Sequence, residues 1–125
     1  MKYKILVIDD SASVRQQVGD TLRNAGFGVD EATNGLEGKN AIEANAYACV
    51  ICDVNMPFMN GIEMLEALEE SGSKKDVPIV MLTTEGSREL IQKAKQAGAS
   101  GWIVKPFKPE LLVAAVRKLT DLSVV

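Results

Sequence analysis

Four short apolar runs in this chain each deliver a residue that can carry charge or share a proton. The runs at 4–8, 48–52, 78–82 and 101–104 are followed at once by Asp9-Asp10, Asp53, Thr83 and Lys105. Carboxylates gathered at one place repel each other, so unless a cation joins them at least one is expected to titrate unusually high. Hard oxygen ligands with room left for water suit Mg²⁺. A lysine and a hydroxyl beside them could flank a phosphoryl group, and the combination can accept that group as an aspartyl phosphate. Taken singly, each residue is ordinary: Asp9-Asp10 could favour a helix dipole by ~0.3–1 kcal/mol each, Thr83 could cap a helix, and Lys105 could be a solvated end. Their joint occurrence after four apolar runs argues for a site.

Composition narrows the chemistry further. The 125 residues include no histidine, which excludes Ser-His-Asp and Cys-His catalysis, a histidine-held zinc or haem, and an imidazole shuttle. The net charge of −3 argues against nucleic-acid binding through phosphate neutralisation. Residues 85–125 nonetheless carry seven basic and four acidic side chains, a weak sign of a docking surface. The longest unbroken apolar run, 46–52, is far short of a membrane span, and only four apolar residues separate Lys4 from Asp9, too few for a signal-peptide core. A cytoplasmic, monomeric protein with no nucleic-acid or membrane partner is therefore expected. Cys49 and Cys52 match a C-x-x-C spacing, but within a strand they point to opposite faces with α-carbons ~10 Å apart, so two buried thiols are expected rather than a redox pair.

These residues need a frame. Strand patterns at 4–8, 28–32, 48–52, 78–82 and 101–104 alternate with helical ones. The first helix is capped by Ser11 or Ser13, carries Val14, Val18, Leu22 and Ala25 inward, and stops at Gly26. A poor helix around 36–44 is weakened by Gly38 and Asn40. A third helix presents Ile62, Leu65 and Leu68, and a polar link spans 71–76. The fourth helix carries Leu90, Ile91, Ala94 and Ala97, and a last one starts at Pro109 with Leu112, Val116 and Leu119 inward. Regular β-α alternation with strands buried on both faces predicts an α/β protein, a doubly wound parallel five-stranded sheet with helices on both sides. Ligands of such sheets bind at the carboxyl ends of the strands, where Asp9, Asp10, Asp53, Thr83 and Lys105 lie.

With these residues in place, the sequence resembles the receiver domain of bacterial two-component systems, and within that family the single-domain chemotaxis response regulators. The likeness is carried by Val7-Ile8-Asp9-Asp10-Ser11, Asp53-Val54-Asn55-Met56-Pro57, Asn60-Gly61, Leu82-Thr83-Thr84-Glu85, and Ala97-Gly98-Ala99-Ser100-Gly101-Trp102 running on to Lys105-Pro106-Phe107. The short pieces are weak alone, but their order and spacing are specific. The resemblance covers essentially all 125 residues and implies a single receiver domain over 1–125 with no output domain, so that output falls to another protein. It also implies a flavodoxin-like (βα)5 fold with strand order 2-1-3-4-5, the order known for chemotaxis receivers themselves.

By the same resemblance, Asp53 is the phosphoacceptor, while Asp10, Asp53 and the Asn55 main-chain carbonyl bind Mg²⁺, with Asp9 acting through water. Thr83 hydrogen-bonds the phosphoryl group and Lys105 pairs with it, aimed by a cis Lys105-Pro106 bond. Asn55 and Glu85 stand where the family tunes spontaneous dephosphorylation. Thr83 and the residue at Trp102 form the switch. That second position is usually Tyr or Phe, and the bulkier indole puts the usual inward rotation in doubt while still allowing Trp102 to report or gate the change. Lys93, Lys95, Lys108, Arg117 and Lys118 would line the docking face. The implied partners are a histidine kinase, an output protein such as a flagellar motor switch component, and a possible phosphatase; the chain would catalyse only its own phosphotransfer and autodephosphorylation. Two other functions compete: a receiver that relays phosphate outside motility, and a metal-dependent aspartyl phosphatase. The phosphatase class wants a D-x-D arrangement after the first strand and a covering insertion, whereas here the acids are adjacent.

Overall fold

A computed structural model describes residues 3–73 and 76–122, so Lys74 and Lys75 of the expected polar link lie outside the described residues. Five strands and five helices alternate: β1 (Lys4–Ile8), α1 (Ala12–Asn24), β2 (Gly28–Ala32), α2 (Gly35–Ala44), β3 (Cys49–Cys52), α3 (Gly61–Ser71), β4 (Ile79–Thr83), α4 (Arg88–Gln96), β5 (Gly101–Val104) and α5 (Pro109–Leu122). The strands form one parallel sheet in the order β2-β1-β3-β4-β5. That is the expected architecture and order.

Side-chain alternation divides the core into two layers. Leu6, Ile8, Val50, Cys52, Ile79 and Met81 face α2, α3 and α4, where they meet Ile42, Leu65, Leu68 and Ala94. Ile5, Val7, Cys49, Ile51, Val80 and Leu82 face the other way, onto Val18 and Leu22 of α1 and Leu112 and Val116 of α5. Each fully buried Leu or Ile contributes ~1.5–3 kcal/mol relative to exposure, so the three central strands anchor the sheet. The expectation of double-sided burial holds for β1, β3 and β4 and fails at the edges. Along β2 and β5 most residues are only half-buried, and Val104 is 47% exposed, because an edge strand has a neighbour on one side only. On α4, similarly, Ala94 alone is fully buried, while Leu90 and Ile91 stand at its margin.

Local signals set the helix starts. Ser11 caps α1 by accepting the Val14 N–H, and Ser87 caps α4 through the Leu90 N–H. Asn60 and Glu63 form a reciprocal capping box at the start of α3, with bonds of 2.8 and 2.9 Å. In α2 the weak-looking Gly38 has a positive reason for being there. A Cβ at that position would overlap the Ile8 side chain and sit 3.1 Å from the Met64 sulfur, so glycine lets α2 lie close against β1.

Cys49 and Cys52 fall in opposite core layers as free, buried thiols. Burial raises the Cys49 thiol from its ordinary 9.0 to about 12, and burial followed by the charges of Asp53 and Asp9 raises Cys52 as well. Tyr47 is raised from 10.0 to about 12 by burial and by donating to Asp30 at 2.7 Å. All three hold in the folded state protons that the unfolded chain gives up, so stability falls as pH climbs from 9.0 towards about 12. Urea midpoints measured at rising alkaline pH should decline, and Cys49→Ala/Cys52→Ala should flatten the slope. An equal slope in that variant would assign the effect elsewhere.

Candidate functional site

The sheet order decides what meets what at its carboxyl edge. Ile8 of β1 pairs with Cys52 of β3, so the next residues, Asp9 and Asp53, emerge side by side. Thr83 ends β4, and its partner Val104 on β5 precedes Lys105. Asp10, one residue beyond Asp9, is the exposed member of the acidic group, whereas Asp9 is 3% and Asp53 8% exposed.

Lysine closes the group. Lys105 Nζ donates to Asp9 Oδ2 at 2.8 Å and to Asp53 Oδ2 at 3.3 Å, bridging residues 96 and 52 positions away. Asp9 Oδ1 accepts the Ser11 N–H at 2.9 Å, and Asp53 Oδ1 accepts the Val54 N–H at 2.7 Å. Burial pushes the Asp9 carboxyl above the ordinary carboxylate value; Lys105 and the Ser11 N–H pull it back only in part, and Asp53 adds repulsion. The direction is the one expected for gathered carboxylates, but its main cause is burial, with repulsion from Asp53 the smaller contribution. For Lys105 burial opposes the charge, but the bond to Asp9 and the charges of Asp53 and Asp9 outweigh it and raise its pKa. Carboxylate oxygens of Asp9, Asp10 and Asp53 lie within 4.8 Å of one another, a hard-oxygen set that fits Mg²⁺.

Residues 5–117 match the family described as the response regulator receiver domain. The chain belongs to that family. Receiver domains are signalling proteins that bind Mg²⁺ at an acidic pocket, take phosphate from histidine kinases and bind output targets. This receiver domain is 40% identical to chemotaxis protein CheY1 of Helicobacter pylori over 111 residues, 87% of this chain and 90% of that one. It is 38% identical to chemotaxis protein CheY-3 of Vibrio cholerae over 119 residues, 94% of this chain and 92% of the relative. The solved structure of Vibrio cholerae chemotaxis protein CheY4 superposes with a TM-score of 0.88 at 42% identity, covering 95% of this chain and 99% of that one.

Not every predicted site residue of the receiver domain enters the same cluster. Thr83 is fully buried, and its hydroxyl accepts the Glu85 N–H at 3.3 Å. The Asn55 side chain turns outward and donates to Glu85 Oε1 at 3.0 Å. Trp102 lies beside Met81, packs against the layer that holds α4, and donates its indole N–H to the Glu85 carbonyl at 2.9 Å. Glu85 is thus held at its carboxylate by the loop after β3 and at its backbone by β5. The pairing of Asn55 with Glu85 and the indole bond depend on folding and carry no local sequence signal. Trp102 also lines a hollow of about 240 Å³ with Ile91, Ala94 and Lys95. The Lys105-Pro106 bond is cis, as the resemblance implied. Lys93, Lys95, Lys108 and Lys118 are exposed; Arg117 is exposed too, but donates to the Ala25 carbonyl at 3.2 Å. Among the described residues no helix is long and apolar enough to cross a membrane.

The loop after Asp53 carries stored strain. Phe58 has φ 68°, in the left-handed region, and is 88% exposed. The Met59 N–H donates to the Pro57 carbonyl at 2.7 Å, closing a three-residue turn around Phe58. Bonds from Gly35 N–H to the Met59 carbonyl and from Gly61 N–H to the Val54 carbonyl, each 2.9 Å, pin the loop on both sides. With a conformation that favours glycine and a ring in water, Phe58→Gly should raise stability by about 1 kcal/mol. A urea midpoint at or below wild type would show that the ring makes a compensating contact.

Proposed function

We propose that this receiver domain is a phosphorylation-activated response regulator that accepts a phosphoryl group on Asp53 from a histidine kinase and signals by binding another protein. One observation carries the reading: Lys105 Nζ reaches both Asp9 and Asp53, drawing an ammonium and the acidic group into one place at the strand ends. Asp10, Asp53 and the Asn55 carbonyl would hold Mg²⁺, with Asp9 acting through water. When bound there, Mg²⁺ would neutralise charge on the phosphoryl oxygens. Asp53 supplies the attacking carboxylate oxygen; the phosphorus–nitrogen bond to the kinase's phosphohistidine breaks as the bond to Asp53 forms, and the imidazole nitrogen leaves with the electron pair (with acetyl phosphate the broken bond is phosphorus–oxygen and acetate leaves). Lys105 then pairs with the new phosphoryl group, and Thr83 turns its hydroxyl to it, giving up the Glu85 N–H. Release at Glu85 would bias the β4–α4 loop, to which both Asn55 and Trp102 are bonded. Asn55 and Glu85 together would govern how water reaches the aspartyl phosphate.

The names of the relatives support a chemotaxis role. For that role the resemblance of the sequence implies a chemotaxis kinase upstream and a flagellar motor switch component as the output protein. The chain catalyses only the transfer to itself and its own dephosphorylation. Incubation with acetyl phosphate and Mg²⁺ tests the chemistry. A base-labile adduct of about 80 Da, one phosphoryl group, should form. Its absence from the wild-type chain would end this reading. Co-precipitation with a flagellar switch protein, with and without beryllium fluoride, tests the output.

A further inference from the structure

The sequence assigns no role to Arg15, yet its guanidinium reaches the acidic group from behind. Arg15 lies on α1 and is 15% exposed. Its Nη1 donates to the Asp9 main-chain carbonyl at 2.7 Å, while Nε donates to Glu31 Oε1 on β2 at 3.0 Å. We propose that Arg15 is a positioning residue for the divalent-cation site, holding the peptide plane between Asp9 and Asp10 so that the Asp10 carboxylate is presented to those of Asp9 and Asp53.

The Asp9–Asp10 peptide is planar, so fixing its carbonyl oxygen fixes the whole unit and the direction in which the Asp10 α-carbon leaves it. Asp9 itself is held by the sheet, through its N–H to the Ala32 carbonyl at 3.1 Å, and by its side chain, through the Ser11 N–H and Lys105. Asp10 is the exposed acid of the group, and the grip on the preceding carbonyl orients it. A charged donor on a carbonyl makes a stronger bond than a neutral one. Glu31, which Arg23 Nη2 also approaches at 3.5 Å, anchors the guanidinium to β2 and offsets its charge. Partners one shell behind a metal ligand commonly set affinity by about 10- to 100-fold.

Charge and position predict opposite signs. If Arg15 acted only as a nearby positive charge, removing it would tighten binding of a cation. If it holds the peptide plane, removing it weakens binding. The inference rests on the reading of Asp9, Asp10 and Asp53 as a Mg²⁺ site, and calorimetric titration with Mg²⁺ alone tests both at separate points. Wild type that binds no Mg²⁺ at millimolar concentration overturns the site reading, and this inference with it. Given binding by wild type, Arg15→Met should raise the Mg²⁺ Kd by about 10-fold, and Arg15→Lys, which keeps a charged donor, should stay within about threefold. Equal or tighter binding by Arg15→Met, or a loss as large in Arg15→Lys, overturns the assignment. Melting temperatures without Mg²⁺ separate the effect from general stability; if Arg15→Met does not fold, Arg15→Gln, neutral and shorter, is read in its place against the same outcomes.

Discussion

Replacing Asp53 by Ala is expected to lower the rate of phosphoryl uptake from acetyl phosphate by at least about 10³-fold, the scale on which loss of a nucleophile is felt. The chain should still fold, because Asp53 lies one residue beyond β3 and contributes no apolar surface to either core layer. What disappears is the attacking oxygen. Asp53 is oriented by the Val54 N–H on one carboxylate oxygen and faces Lys105 on the other, so its oxygens are aimed before a donor arrives. Asp9 and Asp10 are poor substitutes. Asp9 is buried more deeply than Asp53, 3% against 8% exposed, and is held by the shorter Lys105 bond, 2.8 against 3.3 Å, while Asp10 stands out in solvent. Intact-mass measurement after incubation with acetyl phosphate and Mg²⁺ gives the result directly. An adduct of wild-type yield on Asp53→Ala would move the acceptor to another residue.

The second large effect concerns a residue with no chemistry of its own. Gly61 opens α3, and a Cβ built there would overlap the Asp53 carbonyl oxygen and lie 2.7 Å from the Met81 terminal methyl and 3.2 Å from the Asp53 carbonyl carbon. The obstacle is backbone at the end of a central strand, which cannot swing aside as a side-chain tip can. Gly61→Ala should therefore cost about 3 kcal/mol, lowering the melting temperature by roughly 10 °C. It should also slow phosphorylation, since α3 must move off the Asp53 backbone to fit the methyl group. Gly28→Ala is the control, because a Cβ there meets nothing closer than 3.8 Å. A Gly61→Ala melting temperature within about 2 °C of wild type would mean that the helix start yields freely.

Some of the site could be read from the chain in advance and some could not. Asp9 and Asp53 were legible because each directly follows a continuous apolar run, and a parallel strand buried on both faces sends the chain out at the sheet's ligand-binding edge. The opposite orientation of Cys49 and Cys52 was legible for a comparable reason: strand side chains alternate with period two wherever the strand is placed. Gly38 was misleading. Its low helix propensity suggests a poor helix, yet the structure uses its missing side chain to seat α2 on Ile8, a contact between residues 30 positions apart. The exposure of β5 was also hidden, since an apolar run does not say whether its strand has one neighbour or two.

Sequence by itself determined the alternation of strands and helices, the stops at Gly26 and Gly98, the serine cap of α1, and which residues stand at strand ends. Those are consequences of backbone preference and hydrophobic period, which act over a few residues. The resemblance, carried by motif order, supplied the strand order. Only the tertiary structure decided that Lys105 bonds Asp9 across 96 positions, that Trp102 and Asn55 converge on Glu85, that Gly61 rests on the Asp53 carbonyl, and that Arg15 grips the Asp9 carbonyl. Such contacts depend on strand order, register and the depth at which each helix beds on the sheet. Packing sets those quantities for the whole chain at once, so no local stretch of residues encodes them.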